Sequence, residues 1–206
     1  MEPRERFLAA WRSVGAPDAS ADAAFDAVVA RYAVPERAYH NLSHIIATLD
    51  LLDTVREQLD HPAEAALALW FHDAVYHPRR ADNEEASASL ARQVLGDAGV
   101  GSDVVARIMA MIMDTRHDAP ASSSDGAFVA DADLATLGAD DDTFDRYDAA
   151  IRQEYTFVPE TAYRPARKAL LERFLARESI YQTEPFRQRF EAAARGNIAR
   201  VWGAGS

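Results

Sequence analysis

The longest apolar run of the chain, Ala65-Ala66-Leu67-Ala68-Leu69-Trp70-Phe71, is interrupted by His72-Asp73 before it resumes with Ala74-Val75-Tyr76. A stretch this apolar has to be buried, and it carries an imidazole and a carboxylate in with it. An ionised carboxylate held against apolar surroundings neutralises unless a cation or hydrogen-bond donors meet it. A divalent metal answers that demand. Side chains of adjacent helical residues diverge by about 100°, so a metal shared by His72 and Asp73 has to lie between their directions, within reach of other helices.

The further ligands have to come from elsewhere in the chain. His44 is one candidate, in Tyr39-His40-Asn41-Leu42-Ser43-His44-Ile45-Ile46, and Asp133 is another, in Val129-Ala130-Asp131-Ala132-Asp133-Leu134. Leu42, Ile45, Leu49, Leu52 and Leu59 recur at helical spacing as a core stripe, and His44 stands one residue off it, where its ring can follow the edge of the core. Asp131 competes with Asp133, since both lie on one short segment. Two imidazoles and two carboxylates suit Mn, Fe, Co, Ni, Zn or Mg with positions left open to water.

The resulting order, a His, an adjacent His-Asp and a distal Asp followed by Leu, resembles the HD-domain superfamily of metal-dependent phosphohydrolases. Tyr39-His40-Asn41, Trp70-Phe71-His72-Asp73, Asp82-Asn83-Glu84-Glu85 with Ser87-Ala88, and Asp131-Ala132-Asp133-Leu134-Ala135 are similar to a bacterial branch of predicted HD phosphohydrolases. The resemblance runs over residues 37 to 183. It implies an all-α, multi-helix HD-like bundle with the metal site between core helices, and His44, His72, Asp73 and Asp133 as the ligands. The superfamily pattern places the distal ligand just before Leu, which favours Asp133 and leaves Asp131 as a helix cap or a partner of a ligand.

Composition narrows the function classes. The 206 residues suit a single domain, residues 1–206, with additional helices at both ends of the HD-like part. The apolar run is far shorter than the ~20 residues a membrane span needs. The start, Met1-Glu2-Pro3-Arg4-Glu5-Arg6-Phe7, has no basic lead into an apolar stretch, so the cytoplasm is the expected location. There is no cysteine, which removes disulfides, thiolate zinc sites and thiol nucleophiles. A formal net charge of −11 repels a nucleic-acid backbone and argues against duplex nucleic acid as a partner. A small phosphorylated substrate remains compatible, because a metal and a few arginines neutralise it locally.

Apolar residues at spacings of three and four in an Ala-, Leu-, Arg- and Glu-rich chain predict helices nearly throughout, over residues 3–14, 20–33, 42–59, 62–76, 82–97, 102–115, 127–137, 141–156, 160–178 and 184–200. Pro62 suits the first turn of the fourth. Asp82 is expected to cap the fifth, with Glu84 and Glu85 in its first turn. His117 to Gly126 is expected to be the longest loop, placed to cover the site. Gly203-Ala204-Gly205-Ser206 is expected to fray.

Other residues are candidates for chemistry around the metal. His117 lies where some superfamily members carry a ligand for a second metal or a substrate-facing histidine, and Glu84 and Glu85 where some relatives use acidic proton carriers. Asp73, His117 and Glu84 are thus the catalytic candidates. Arg80 and Arg116, close in sequence to the site, have guanidinium forks suited to phosphate oxygens. His40, four residues before His44, is read as a substrate contact or a polar helix start rather than a ligand. His61 is expected to be exposed at a turn. Tyr147, Tyr155, Tyr163, Phe174 and Tyr181, with Arg164, Arg167 and Arg173 between them, are expected to pack a terminal helical layer. The function expected is hydrolysis of a nucleotide or other small phosphate ester by metal-activated water. The alternatives are a di-iron oxygenase of the same superfamily and a metal-containing small-molecule binding protein without turnover.

Overall fold

In the computed structural model, residues 2–202 are described, and Gly203 to Ser206 lie outside them. They form ten α-helices with two short 3-10 turns and no strand, as the periodicity predicts. The chain divides into two compact units, Met1–Asp133 and Leu134–Ser206.

The first unit holds α1 (Pro3–Ser13), α2 (Asp18–Tyr32), α3 (Leu42–Thr54), α4 (Pro62–Phe71), α5 (Asn83–Asp97), α6 (Ser102–Asp114) and α7 (Ser124–Leu134), the last ending on the first residue of the second unit. Its centre is α4. A helix that is apolar on every side has to be enclosed, and α4 packs against α1, α3, α5 and α6. Leu67, Ala68, Leu69, Trp70 and Phe71 are fully buried. Trp70 meets Phe7 of α1 and Phe25 of α2 edge-on, at ring separations of 5.5 and 5.9 Å. Pro62 opens α4 where its missing N–H costs nothing. The preceding N–H groups of Asp60 and His61 both donate to the buried Asp125 carboxylate, at 2.9 and 2.7 Å. Glu64, also buried, is neutralised by a two-pronged Arg107. His61 is exposed, as expected.

Most helix ends lie within three residues of the sequence expectation, and the differences at the third, fourth and seventh helices bear on the site. The third helix stops at Thr54, and Arg56–Gln58 forms a 3-10 turn. The fourth stops at Phe71 instead of 76, which leaves the His-Asp dyad in the turn that follows. The seventh begins at Ser124, three residues early, and Ala135–Gly138 continues it as a 3-10 turn. Ser123 explains the early start, since its hydroxyl accepts the Gly126 N–H at 3.0 Å as a helix cap does. A Cβ at Gly126 would meet the Asp114 carboxylate and displace it from the two hydrogen bonds by which it holds Ser122. The loop expected over 117–126 is accordingly shorter, since helix begins again at Ser124.

The second unit holds α8 (Asp141–Glu154), α9 (Glu160–Leu175) and α10 (Glu184–Trp202). The long α10 packs on α9 and on the 3-10 turn. Gly138 permits the close approach, since an added Cβ would lie 2.5–2.9 Å from the backbone and Cβ of Phe190. The aromatic and arginine residues of this part stack on one another: Arg152 covers Tyr163 at 4.5 Å, Arg167 covers Tyr147 at 5.2 Å and Arg164 covers Trp202 at 5.1 Å. Of the residues expected to form a terminal layer, Tyr147, Tyr163, Arg164 and Arg167 make these contacts within their own unit.

Candidate metal centre

The way α4 ends is what builds the site. The last carbonyls of a helix have no partner within it, and here each finds one outside. Ala68 O accepts the His72 backbone N–H at 2.9 Å, and Leu69 O accepts the His72 ring Nδ1–H at 2.9 Å. Trp70 O accepts the Tyr32 hydroxyl at 2.9 Å, and Phe71 O accepts the Ala74 N–H at 2.9 Å. Beyond the helix, Ser87 of α5 accepts from Val75 N–H and donates to Val75 O, at 3.0 and 3.1 Å. The turn bearing His72 and Asp73 is thus pinned from α2 and α5 as well as from α4.

A carbonyl can only accept, so the Leu69 contact puts the proton on Nδ1 of His72 and turns Nε2 inward. His44 arrives from the first turn of α3, which Asn41 caps by accepting the Ser43 N–H at 2.9 Å. Its Nε2 stands 3.4 Å from His72 Nε2, 3.0 Å from Asp133 Oδ1 and 3.8 Å from Asp73 Oδ2. His72 Nε2 lies 3.1 Å from Asp73 Oδ2 and 3.4 Å from Asp133 Oδ1. Asp133 comes from the last turns of α7. His44, His72 and Asp133 together form a group able to hold a metal ion.

The separations among His44, His72 and Asp133 are those of ligands around one ion. Atoms ~2.1 Å from a common centre stand about 3.0 Å apart at right angles and about 3.4 Å apart tetrahedrally. The donor set fits as well, because four atoms with lone pairs facing one another require positive charge between them. Without a metal a proton supplies it. Burial disfavours the imidazolium of His72, yet Asp73 and Asp133 outweigh burial and hold its pKa well above the ordinary value. Burial also opposes the charge of Asp73, but His72 and then His40 overcome it and draw the pKa down. Asp133 is likewise held well below the carboxylate range against burial by hydrogen bonds from His117, His44 and His72.

The structure places the other candidates around this cluster. His117 is not a solvated loop residue. Its backbone is left-handed, with φ 57°, and its mostly buried ring sets Nε2 2.8 Å from Asp133 Oδ2, the oxygen turned away from His44. Asp131 is fully buried, and the oxygens in the cluster belong to Asp133. His40 precedes α3 instead of sharing its face with His44. Its ring stacks on Tyr76 at 3.9 Å and stands 6.3 Å from that of His44. Glu84 is half-buried, and burial, reinforced by Asp73 and Glu85, raises its pKa despite a backbone hydrogen bond.

The arginines are engaged by carboxylates. Arg80 makes a fork on Asp82 at 3.0 and 2.8 Å, so Asp82 occupies the cap position of α5 without capping it. Arg116 pairs with Glu85 and, at 3.2 Å, with Asp118. Tyr32 and Arg37, both silent in the sequence reading, turn out to hold the dyad. A tyrosine closing one helix and an arginine in an arginine-rich chain carry no local signal of that role.

No family model and no curated protein matches the chain. Among solved structures it is similar to the crystal structure of a predicted HD superfamily hydrolase from an uncultured Thermotogales bacterium. The two are 22% identical with a TM-score of 0.51, over 85% of this chain and 83% of that one. At this identity the likeness is one of fold. The chain shares the all-helical fold of that predicted HD superfamily hydrolase, and its described residues include a group, His44, His72 and Asp133, that can hold a metal.

Proposed function

We propose that the protein is a divalent-metal-dependent phosphohydrolase acting on a nucleotide or other small phosphate ester. The observation that carries this reading is the group His44, His72 and Asp133, whose ligand atoms face one another, with Asp73 Oδ2 3.1 Å from His72 Nε2 beside them. A divalent ion held by these residues would supply Lewis acidity, making a water more acidic and a phosphoryl group more electrophilic.

The protein's own groups do the rest. Asp73 completes the ligand set and orients the attacking water. Asp133 spans the cluster and His117, so a proton reaching Asp133 Oδ2 or its neighbourhood can be shared with the His117 ring. Glu84, with its raised pKa, is suited to hand a proton to a leaving oxygen and to be restored by the proton that the attacking water releases. His40, on its Tyr76 shelf, is a substrate contact. Arg80 and Arg116 serve as phosphate contacts only by exchanging Asp82, or Glu85 and Asp118, for substrate oxygens, which limits how much negative charge the site attracts at a distance.

The partner proposed is a small phosphorylated molecule, not duplex nucleic acid. Among the described residues no helix is long and apolar enough to cross a membrane, and the cytoplasm is the proposed location.

The test is phosphate release from a panel of nucleotides, sugar phosphates and diesters with Mn, Co, Ni or Mg, beside Asp73→Ala. Turnover by the wild type that disappears in Asp73→Ala is the expected result. A wild type inert with every metal, but consuming dioxygen when loaded with iron, replaces this reading with an oxygenase. Tight binding of a ligand without product replaces it with a binding protein.

A further inference from the structure

Arg37 lies outside the ligand set and outside every helix, in the segment that joins α2 to α3. Its guanidinium donates to backbone carbonyls on both sides of the site. Nη1 donates to Asp73 O at 2.7 Å and to His40 O at 3.4 Å, and Nη2 reaches Ala74 O and Tyr76 O, each at 3.4 Å. The fork therefore grips the turn after α4 by three carbonyls, beginning with that of Asp73 itself. The guanidinium also lies over the rings of Tyr32 and Tyr76, at 5.4 and 5.6 Å, and Tyr32 is the residue that caps Trp70 O.

The same segment is tied to the other ligand-bearing helix. Asn41, the cap of α3, donates through Nδ2 to Arg37 O and Ala38 O at 3.3 and 3.0 Å while its Oδ1 receives Ser43 N–H. One short stretch of chain thus joins the helix start that presents His44 to the turn that presents Asp73. A helix C-terminus repels a carboxylate placed beyond it, and a fixed guanidinium at that end offsets the repulsion.

We propose that Arg37 is a positioning residue that sets Asp73 at ligand distance from His44 by clamping the backbone of the dyad turn to the segment leading into α3. It touches no reacting atom. The proposal rests on the reading of His44, His72, Asp73 and Asp133 as metal ligands. It requires the fork and not merely the charge, because one ammonium group cannot span the carbonyls of Asp73, Ala74 and Tyr76 at once.

The test uses Co2+ alone as the probe, with affinity by calorimetry and the visible ligand-field bands as a record of ligand geometry. Arg37→Ala and Arg37→Lys are expected to keep native helicity in the metal-free state, to bind Co2+ at least about tenfold more weakly and to show altered bands. Low guanidinium concentrations, far beneath denaturing levels, are expected to restore Arg37→Ala in part and Arg37→Lys little. Unchanged affinity and bands in the two variants overturn the proposal. If Arg37→Ala fails to fold, Arg37→Lys alone decides, since it keeps the charge and most of the packing. A wild type that takes up no Co2+ overturns the metal reading and this inference together, whereas a wild type that binds it as well as both variants do overturns this inference alone.

Discussion

His117 holds a backbone conformation that an L-residue adopts at a cost, and the return on it is the contact between its ring and Asp133. Glycine at that position removes the strain and the imidazole together, while alanine removes the imidazole and keeps the strain. His117→Gly is therefore expected to be about 1 kcal/mol more stable than His117→Ala in denaturant titrations. Both are expected to bind metal roughly tenfold more weakly, because Asp133 loses the partner that steadies its second oxygen. A His117→Ala protein as stable as His117→Gly would mean that the left-handed backbone is not held. The contact also shows why a histidine in a loop-like stretch was hard to assign from sequence. Asp114-Thr115-Arg116-His117 looks like a helix running out into solvent, and only the left-handed turn at His117 sends its ring back to Asp133.

At the scale of elements, charged side chains close helix ends and pin the loops that follow. Arg37 does so after α4, and Glu191 with Arg195 does so after α9. Arg195 donates to the carbonyls of Leu175, Arg177 and Glu178, while Glu191 accepts from Ile180 N–H, Tyr181 N–H and the Ser179 hydroxyl. Burial raises the pKa of Glu191, but these donors and Arg195 outweigh it and leave the group below its ordinary value. A carboxylate whose folded pKa is lowered stabilises the fold above its unfolded pKa of about 4.3 and loses that contribution as pH falls through the folded value. Glu191→Gln is expected to lower stability at neutral pH by about 1–2 kcal/mol, and less in acid. Thermal melts from pH 7 down to pH 3 would check this, and a deficit that stays constant with pH would exclude the linkage. Such clamps also set boundaries that local propensity misses. The apolar periodicity of Ala65 to Tyr76 continues past Phe71, but the donors that end the helix come from Tyr32, Arg37 and Ser87, up to 39 residues away along the chain for the Arg37–Tyr76 pair. The seventh helix begins early for a more local reason, the Ser123 cap, hidden in a serine run that looks like loop.

For the molecule as a whole, a cluster that gathers two carboxylates and two imidazoles couples metal binding to folding. At a metal concentration about 100-fold above Kd, binding stabilises the native state by about 2.7 kcal/mol. For a chain of this size that is a rise in Tm of roughly 5–10 °C. Addition of Mn or Co to chelator-treated protein is expected to give such a rise, and Asp133→Ala to abolish it. An unmoved Tm with each of the metals would count against a bound ion. The net charge of −11 bears on a different property, the electrostatic discrimination against polyanions, and leaves this coupling intact.

The sequence by itself determined the helical class, the position of nearly every helix and three side chains, His44, His72 and Asp133, that the structure brings together as a group able to hold a metal. Helical periodicity is repeated in every turn, and a His-Asp pair inside an apolar run is costly enough to stand out. Only the tertiary structure decided that the dyad sits beyond its helix, that His117 turns back onto Asp133, that Arg80 and Arg116 are matched with carboxylates, and that Arg37 grips the dyad turn. Each of these depends on which groups from distant segments meet a particular carbonyl or carboxylate. That is fixed by packing around α4, and no local pattern of residue types encodes it.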